Sequence, residues 1–392
     1  MSVVPWRPAR LREVGLPAMA MSSGTVGYVR ALLVTNDYPP KAGGIQQYLS
    51  NLVAHSSVSI RVLGPRHAGA PPEPHVVRGR YAYMLPTRRT YRWVSDQIRD
   101  FDPDVVVFGA PHPLAQMGPR LARVSGIPYV VIAHGAEVTL PAAVPLLRQM
   151  LRWTFRRAAL VLTVSSFTAG RVGGLGALET EVLGAGVDLS LFRPGGRSGN
   201  GSEGRPLVIG CISRFVPRKG HLRVLDAAER LRDGGLEVEV LLAGKGRLEA
   251  RIRRAAARAT VPVRVESDVP WDNLPDLYRS CDVFVMPARS RWLGLEAEGL
   301  GIVYLEASAS GIPVVAGTSG GAPETVVPGV TGYVAGSVPE IVEAVSLVAV
   351  RRPEMGSAAR AHAVDQYSWE AVARRLDAAL ARVAVCGADS GR

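Results

Sequence analysis

Glu298 and Glu306 bracket the segment EGLGIVYLE, in which two glycines precede an apolar stretch of helical character. A helix that starts after a glycine loop turns unpaired backbone N–H groups outward. Gly299, Leu300, Gly301 and Ile302 are therefore placed to receive a phosphate. Glu306, further along that helix, is positioned to accept from vicinal ribose hydroxyls, as a carboxylate does in dinucleotide-binding folds. Glu298, in the preceding loop, is expected to be free for sugar hydroxyls. Spacing alone does not single the pair out, because Glu229 and Glu237 repeat it around the polar turn Asp233-Gly234-Gly235. The loop, glycine and helix context separates the two.

A second constellation is SRFVPRKG, where Arg214 and Lys219 flank a proline-containing turn after an apolar run. An arginine fork and a lysine point charge can converge there on one diphosphate; the competing reading is two surface cations near a helix start. The glycine spacing of a Walker loop is absent. In NDYPPKAGGIQQY, Gly43 and Gly44 stand at the start of a helix, where backbone can approach an anion closely; an ordinary strand-to-helix turn would look the same. His134 closes the apolar run YVVIA and is followed by Gly135, which puts it at the edge of a cleft. Gly244-Lys245-Gly246 and SGGAPETV are further glycine turns, Pro323 suiting the first turn of a short helix. Asp102-Pro103-Asp104 has the literal form of a metal-binding acidic doublet, but its proline and the strand that follows make it a turn.

The elements that must position these residues alternate. Strands are expected at Val29–Val34, Ser59–Leu63, Val105–Phe108, Tyr129–Ala133 and Leu160–Val164, with helical patterns between them. The alternation restarts at Leu207–Ile212 and continues through Val238–Ala243, Val261–Val265, Asp282–Met286 and Pro313–Ala316, with helices near His221–Asp233, Ile302–Ser310 and Val338–Val350. Such alternation specifies parallel sheets covered on both faces, an α/β chain of two doubly wound, Rossmann-like domains facing a cleft. The expected division is a disordered extension over 1–27, an acceptor domain over 28–194, a linker over 195–205 (GGRSGNGSEGR), a nucleotide domain over 206–366, and a helix over 367–385 that crosses back to the first domain.

The chain has 392 residues, too many for one growing hydrophobic core. Its 47% apolar and 20% charged content excludes bulk disorder, collagen and coiled coil. Three cysteines, far apart and without metal or redox spacing, read as thiols of a reducing compartment. No apolar run approaches the roughly 20 residues that span a bilayer. The formal net charge is +12, and only Lys41, Lys219 and Lys245 of the 46 cations are lysines. That surplus suits a phosphorylated substrate or an anionic membrane; no nucleic-acid motif accompanies it, so no nucleic acid is expected. Pro86–Arg99 and Leu147–Arg157 mix arginines with Tyr91, Trp93, Trp153 and Phe155. They are either lipid-facing surfaces or amphipathic helices with their aromatics turned inward.

The motifs LLVTNDYPPKAGGIQQYL, HGAEV, SRFVPRKG, PARSRWLGLEAEGLGIVYLEASASGIPVVAG and SGGAPETV together resemble retaining GT-B glycosyltransferases of the glycogen-synthase-like group. Within that group the chain is similar to the GDP-mannose-dependent mannosyltransferases of phosphatidylinositol mannosides. The resemblance implies transfer of an α-linked mannose with retention, no required metal or other cofactor, and a phosphoinositol glycolipid acceptor met by a protein peripheral on the cytoplasmic face of the membrane. It also implies roles. Arg214 and Lys219 would hold the donor diphosphate, Glu298 the sugar hydroxyls, Glu306 the ribose and His134 the sugar near the reacting carbon. Gly43 and Gly44 would close over the phosphates, and Asp268 and Val269, in the Asp268–Trp271 turn, would neighbour the base. Ala136 departs from the family pattern, which has a second histidine there, as does Trp292 by residue type.

Overall fold

The computed structural model describes residues 29–41, 43–70, 72–195 and 205–390. The expected extension and nearly all of the expected linker lie outside these residues.

The first half is one parallel sheet of seven strands: β1 Arg30–Val34, β2 Ser59–Gly64, β3 Val76–Arg78, β4 Val105–Phe108, β5 Tyr129–Ala133, β6 Leu160–Thr163 and β7 Thr180–Val182, in the order β3-β2-β1-β4-β5-β6-β7. Around it run α1 Gly44–His55, α2 Arg88–Phe101, α3 Gly118–Ser125, α4 Ala136–Ala142, α5 Pro145–Phe155 and α6 Ser166–Gly173. The central strands β4, β5 and β6 are buried along their whole length because helices cover both faces of the sheet, which is why they read as unbroken apolar runs. The edge strands β3 and β7 are partly exposed, and neither carries such a run.

The second half is a parallel sheet of six: β8 Leu207–Ile212, β9 Val238–Ala243, β10 Val263–Glu266, β11 Val283–Met286, β12 Val314–Ala316 and β13 Gly332–Val334, ordered β10-β9-β8-β11-β12-β13. Its helices are α7 His221–Asp233, α8 Glu249–Ala256, α9 Leu274–Arg279, α10 Ile302–Ala309 and α11 Val338–Tyr367. The helix expected over Val338–Val350 is longer: after a non-helical Arg351, just before Pro353, it resumes to Tyr367. Its second part hides Met355, Gly356, Ala359 and Ala363, a stripe of small residues with little apolar signal.

Last comes α12, Trp369–Ser390, which packs its Leu376 and Leu380 against Leu49, Leu52 and Ile132 of the first half. Trp369 meets Tyr48 of α1 edge-on at 5.7 Å. Just before the expected domain boundary at residue 194 the chain already packs against the second half. Phe192 is buried edge-on against Tyr278 and Trp271 of the second half, at 5.6 and 5.9 Å, because an aromatic ring there completes that core. The chain leaves the first half at Val187, which bridges in parallel to Ser368, where α11 gives way to α12.

The Asp102-Pro103-Asp104 turn ties down β1: Asp104 accepts from the Arg30 N–H at 2.7 Å, and Asp102 ends α2 in the left-handed region. The aromatics of α2 turn inward, with Tyr91 and Trp93 against the core, whereas in α5 Phe155 is buried and Trp153 stays exposed.

Candidate active site

Several sequence-marked loops converge where the carboxyl ends of the two sheets meet. The SRFVPRKG turn follows β8. The 294–301 loop leads into α10, and SGGAPETV follows β12. Gly301 precedes α10 at φ +97, a backbone that a Cβ disfavours. Gly299 needs to be glycine for another reason, since a Cβ there would lie 2.6 Å from the His134 carbonyl oxygen of the first half. The SGGAPETV loop holds the Glu298 backbone in place. Ser319 Oγ accepts from the Glu298 N–H at 3.0 Å, and the Gly321 N–H donates to the Glu298 carbonyl at 3.0 Å.

Glu298 is buried, and its Oε2 accepts from Lys219 Nζ at 2.9 Å and from Arg218 Nη1. Arg218 also lies 3.6 Å from Glu296. Burial alone would raise the Glu298 carboxyl, but Lys219 and Arg218 outweigh it and hold the group below its ordinary 4.5. Lys219 is lowered, because burial and the neighbouring Arg218 and Arg214 outweigh the help of Glu298. Glu298 is thus buried and paired through Oε2 rather than loose in its loop, since a carboxylate this buried is costly unless paired. Arg214, expected to act with Lys219, is exposed on the same turn and its charge helps to lower the lysine, while Arg218 occupies the buried position beside it. The sequence carried the signal for Arg218 in the adjacent pair Arg218-Lys219 that closes the turn.

Glu306 is buried, and its Oε2 accepts from the Tyr278 hydroxyl at 2.6 Å. Burial raises its carboxyl to about 7, against the lowering pull of that hydrogen bond and of Lys219. The pairing with Tyr278 was not legible, for nothing in sequence joins α9 to α10.

His134 ends β5, as its position implied. Its Nε2 lies 2.9 Å from the Gly109 carbonyl, and its ring meets Tyr48 edge-on at 5.1 Å. Glu137 turns back to accept from the His134 and Gly135 N–H groups. Asp268 is exposed in the left-handed region at φ +53 and pairs with Lys245 at 2.7 Å, beside a half-buried Val269. Leu300 is buried, and Ile302 is partly exposed. A Cβ on Gly43 would collide with Gln46, whereas the space around Gly44 is open. Neither glycine contacts the Lys219–Glu298 cluster in the contacts described.

A second interdomain link went unread in the sequence. Glu324, within SGGAPETV, accepts from the Ser166 N–H at 2.7 Å and the Phe167 N–H at 2.8 Å, so a carboxylate of the second half caps helix α6 of the first.

Residues 196–350 match the family described as glycosyl transferases group 1, and residues 42–191 match glycosyltransferase family 4. The chain is 35% identical over 369 residues to a GDP-mannose-dependent monoacylated alpha-(1-6)-phosphatidylinositol monomannoside mannosyltransferase of Corynebacterium glutamicum, covering 88% of this chain and 96% of that protein. It is 38% identical over 372 residues to a GDP-mannose-dependent alpha-(1-6)-phosphatidylinositol monomannoside mannosyltransferase of Mycolicibacterium smegmatis, with the same shares covered. Among solved structures, a sucrose-phosphate synthase from Thermosynechococcus elongatus superposes with a TM-score of 0.70 at 18% identity, over 91% of this chain and 100% of that one. The Anabaena protein HepE in complex with UDP gives 0.70 at 19% identity, over 90% of this chain and 100% of that one.

Proposed function

The chain belongs to the family 4 glycosyltransferases of GT-B fold and is a hexosyltransferase, and from that membership we propose that it moves mannose from GDP-mannose to a phosphatidylinositol mannoside with retention of configuration. The observation that carries the reading is the buried cluster in which Arg218 and Lys219 share the single carboxylate oxygen Glu298 Oε2. Arg218 also meets Glu296, so these two cations are matched by two carboxylates, and the exposed Arg214 of the same turn supplies the surplus positive charge for a diphosphate. That charge matters most as the leaving group departs, because negative charge grows on the phosphate in the transition state.

The donor diphosphate lies against Lys219 and the start of α10, with Arg214 reaching it from the exposed side of the same turn. Glu306 faces the ribose, the Asp268-Val269 turn the base, and His134 the sugar. Gly43 and Gly44 cover the phosphates. Glu298, held ionised by two cations that occupy its oxygen, is a poor nucleophile and a poor acid. Double displacement through it is therefore disfavoured. The bond from the anomeric carbon to the phosphate oxygen breaks, the acceptor hydroxyl oxygen bonds to that carbon on the same face, and its proton passes to the departing phosphate. The cations of this turn supply the charge that a divalent ion would otherwise bring, so turnover needs no metal. Among the described residues no helix is long and apolar enough to cross a membrane; the protein works peripherally, on the inner face.

The test is incubation with radiolabelled GDP-mannose and phosphatidylinositol monomannoside in vesicles, with and without EDTA. Label in a more polar mannolipid, unaffected by chelation, is expected. Conversion of the donor without any acceptor would mark an epimerase and sink the proposal, as would transfer only from UDP- or ADP-sugars.

A further inference from the structure

In the first half, α4, α5 and α6 enclose a groove made of two adjoining cavities of about 310 and 280 Å³ that share Ala142, Ala143 and Arg148. Val138 and Leu175 form its apolar floor, and Leu295 of the second half closes one end. Three arginines line it, Arg148, Arg152 and Arg171, and no carboxylate does. Among the described residues none of the three is in an ion pair or donates a side-chain hydrogen bond. Arg171 lies 5.2 Å from the Phe167 ring centroid, and the buried Nε of Arg152 has no acceptor. Part-buried arginines elsewhere find acceptors, carboxylates for Arg78 and Arg205 and backbone carbonyls for Arg223, Arg360 and Arg375. Around the groove Leu140, Val144, Leu146 and Trp153 are exposed.

An unpaired cationic groove rimmed by apolar side chains matches a phosphodiester whose other end is hydrocarbon. The groove also opens on the reaction loop. Thr139 Oγ1 donates to the Leu295 carbonyl at 3.4 Å, and Arg171 reaches Gly294, where a Cβ would stand 2.6 Å from its Nη2. We propose that Arg148, Arg152 and Arg171 bind the phosphate of the acceptor lipid, fixing its sugar ring at the domain boundary while the acyl chains leave over Leu140, Leu146 and Trp153. This rests on the acceptor being a phosphoinositol glycolipid, as proposed above.

Arg148 and Arg171 are exposed, so Arg148→Gln and Arg171→Gln spare the core. Steady-state kinetics would compare three acceptors: the lipid in neutral vesicles, its deacylated glycerophosphate form, and the same mannosyl-inositol without phosphate. For the double variant, KM should rise about tenfold or more for both phosphate-bearing acceptors, the loss of a charge-assisted hydrogen bond. KM for GDP-mannose and the phosphate-free acceptor should be unchanged. Equal weakening for the phosphate-free acceptor, or no rise at all, overturns the proposal. A rise confined to vesicles also overturns it, because the arginines then read membrane charge. Calorimetric binding of the deacylated and phosphate-free forms needs no turnover. If the donor assignment fails, preference of the wild type, and not the variant, for the phosphate-bearing form still upholds the groove, and its absence still overturns it.

Discussion

The Tyr278 hydroxyl donates to Glu306 Oε2 at 2.6 Å, inside a pocket that buries both residues. Burial holds the carboxyl near 7 against an ordinary 4.5, so its raised value works against the folded state once the group ionises. The contribution is fully present below about 4.5 and is lost as pH rises through 7. The span of 2.5 units corresponds to about 3 kcal/mol at most. Glu306→Gln should flatten the fall in stability between pH 5 and 8, measured by urea denaturation. A variant that keeps the wild-type slope would assign the pH dependence to other groups.

Lys219→Ala should lower kcat/KM about a hundredfold, because it takes away a cation facing the growing charge of the leaving diphosphate. Arg218→Ala should also be strongly damaging. It leaves Glu298 buried with one partner, at a cost of about 3 kcal/mol in stability as well. Lys219→Ala leaves Glu298 with one partner in the same way, so both variants should melt at lower temperature, and calorimetric titration with GDP, done where both remain folded, should show the lost donor affinity separately.

Gly299→Ala is a test of contact across the halves. The added methyl would stand 2.6 Å from the His134 carbonyl oxygen, a distance that forces something to move. Small-angle scattering should report a wider cleft and assays a lower kcat, while circular dichroism stays that of the wild type. Unchanged activity would mean that the two loops do not meet during turnover.

Glu324→Gln removes the charge that caps α6 from the other half and should cost about 1 kcal/mol. Since the cap joins two domains, the loss should appear as faster amide exchange at Ser166 and Phe167 rather than as a large fall in melting temperature.

The alternation of buried strands and helices, the glycine turns and the returning last helix were legible because parallel sheets write their cores as continuous apolar runs. Edge strands β3 and β7 were not, being short and half wet. Lys219, Glu298 and Glu306 could be marked as charged groups at strand ends and a helix start. Their partners could not, because Arg218–Glu298 and Tyr278–Glu306 join residues 80 and 28 positions apart, and only packing decides which of several nearby cations is buried. Arg214 and Lys219 stand out in the sequence on either side of the proline turn, whereas the burial of Arg218 beside the lysine is decided by packing. The place of the Phe192 ring against Trp271 and Tyr278 could not be read either, because a polar linker follows it in sequence and only packing brings those rings together.

Val187 and Ser368 carry the chain between the halves in opposite directions and lie side by side, the Val187 N–H donating to the Tyr367 carbonyl at 2.8 Å. Two crossings lie at one point, so a rotation of one half on the other would have to bend both segments there together. A substitution at this joint can therefore alter how fast the reacting loops meet without touching a group that binds donor or acceptor.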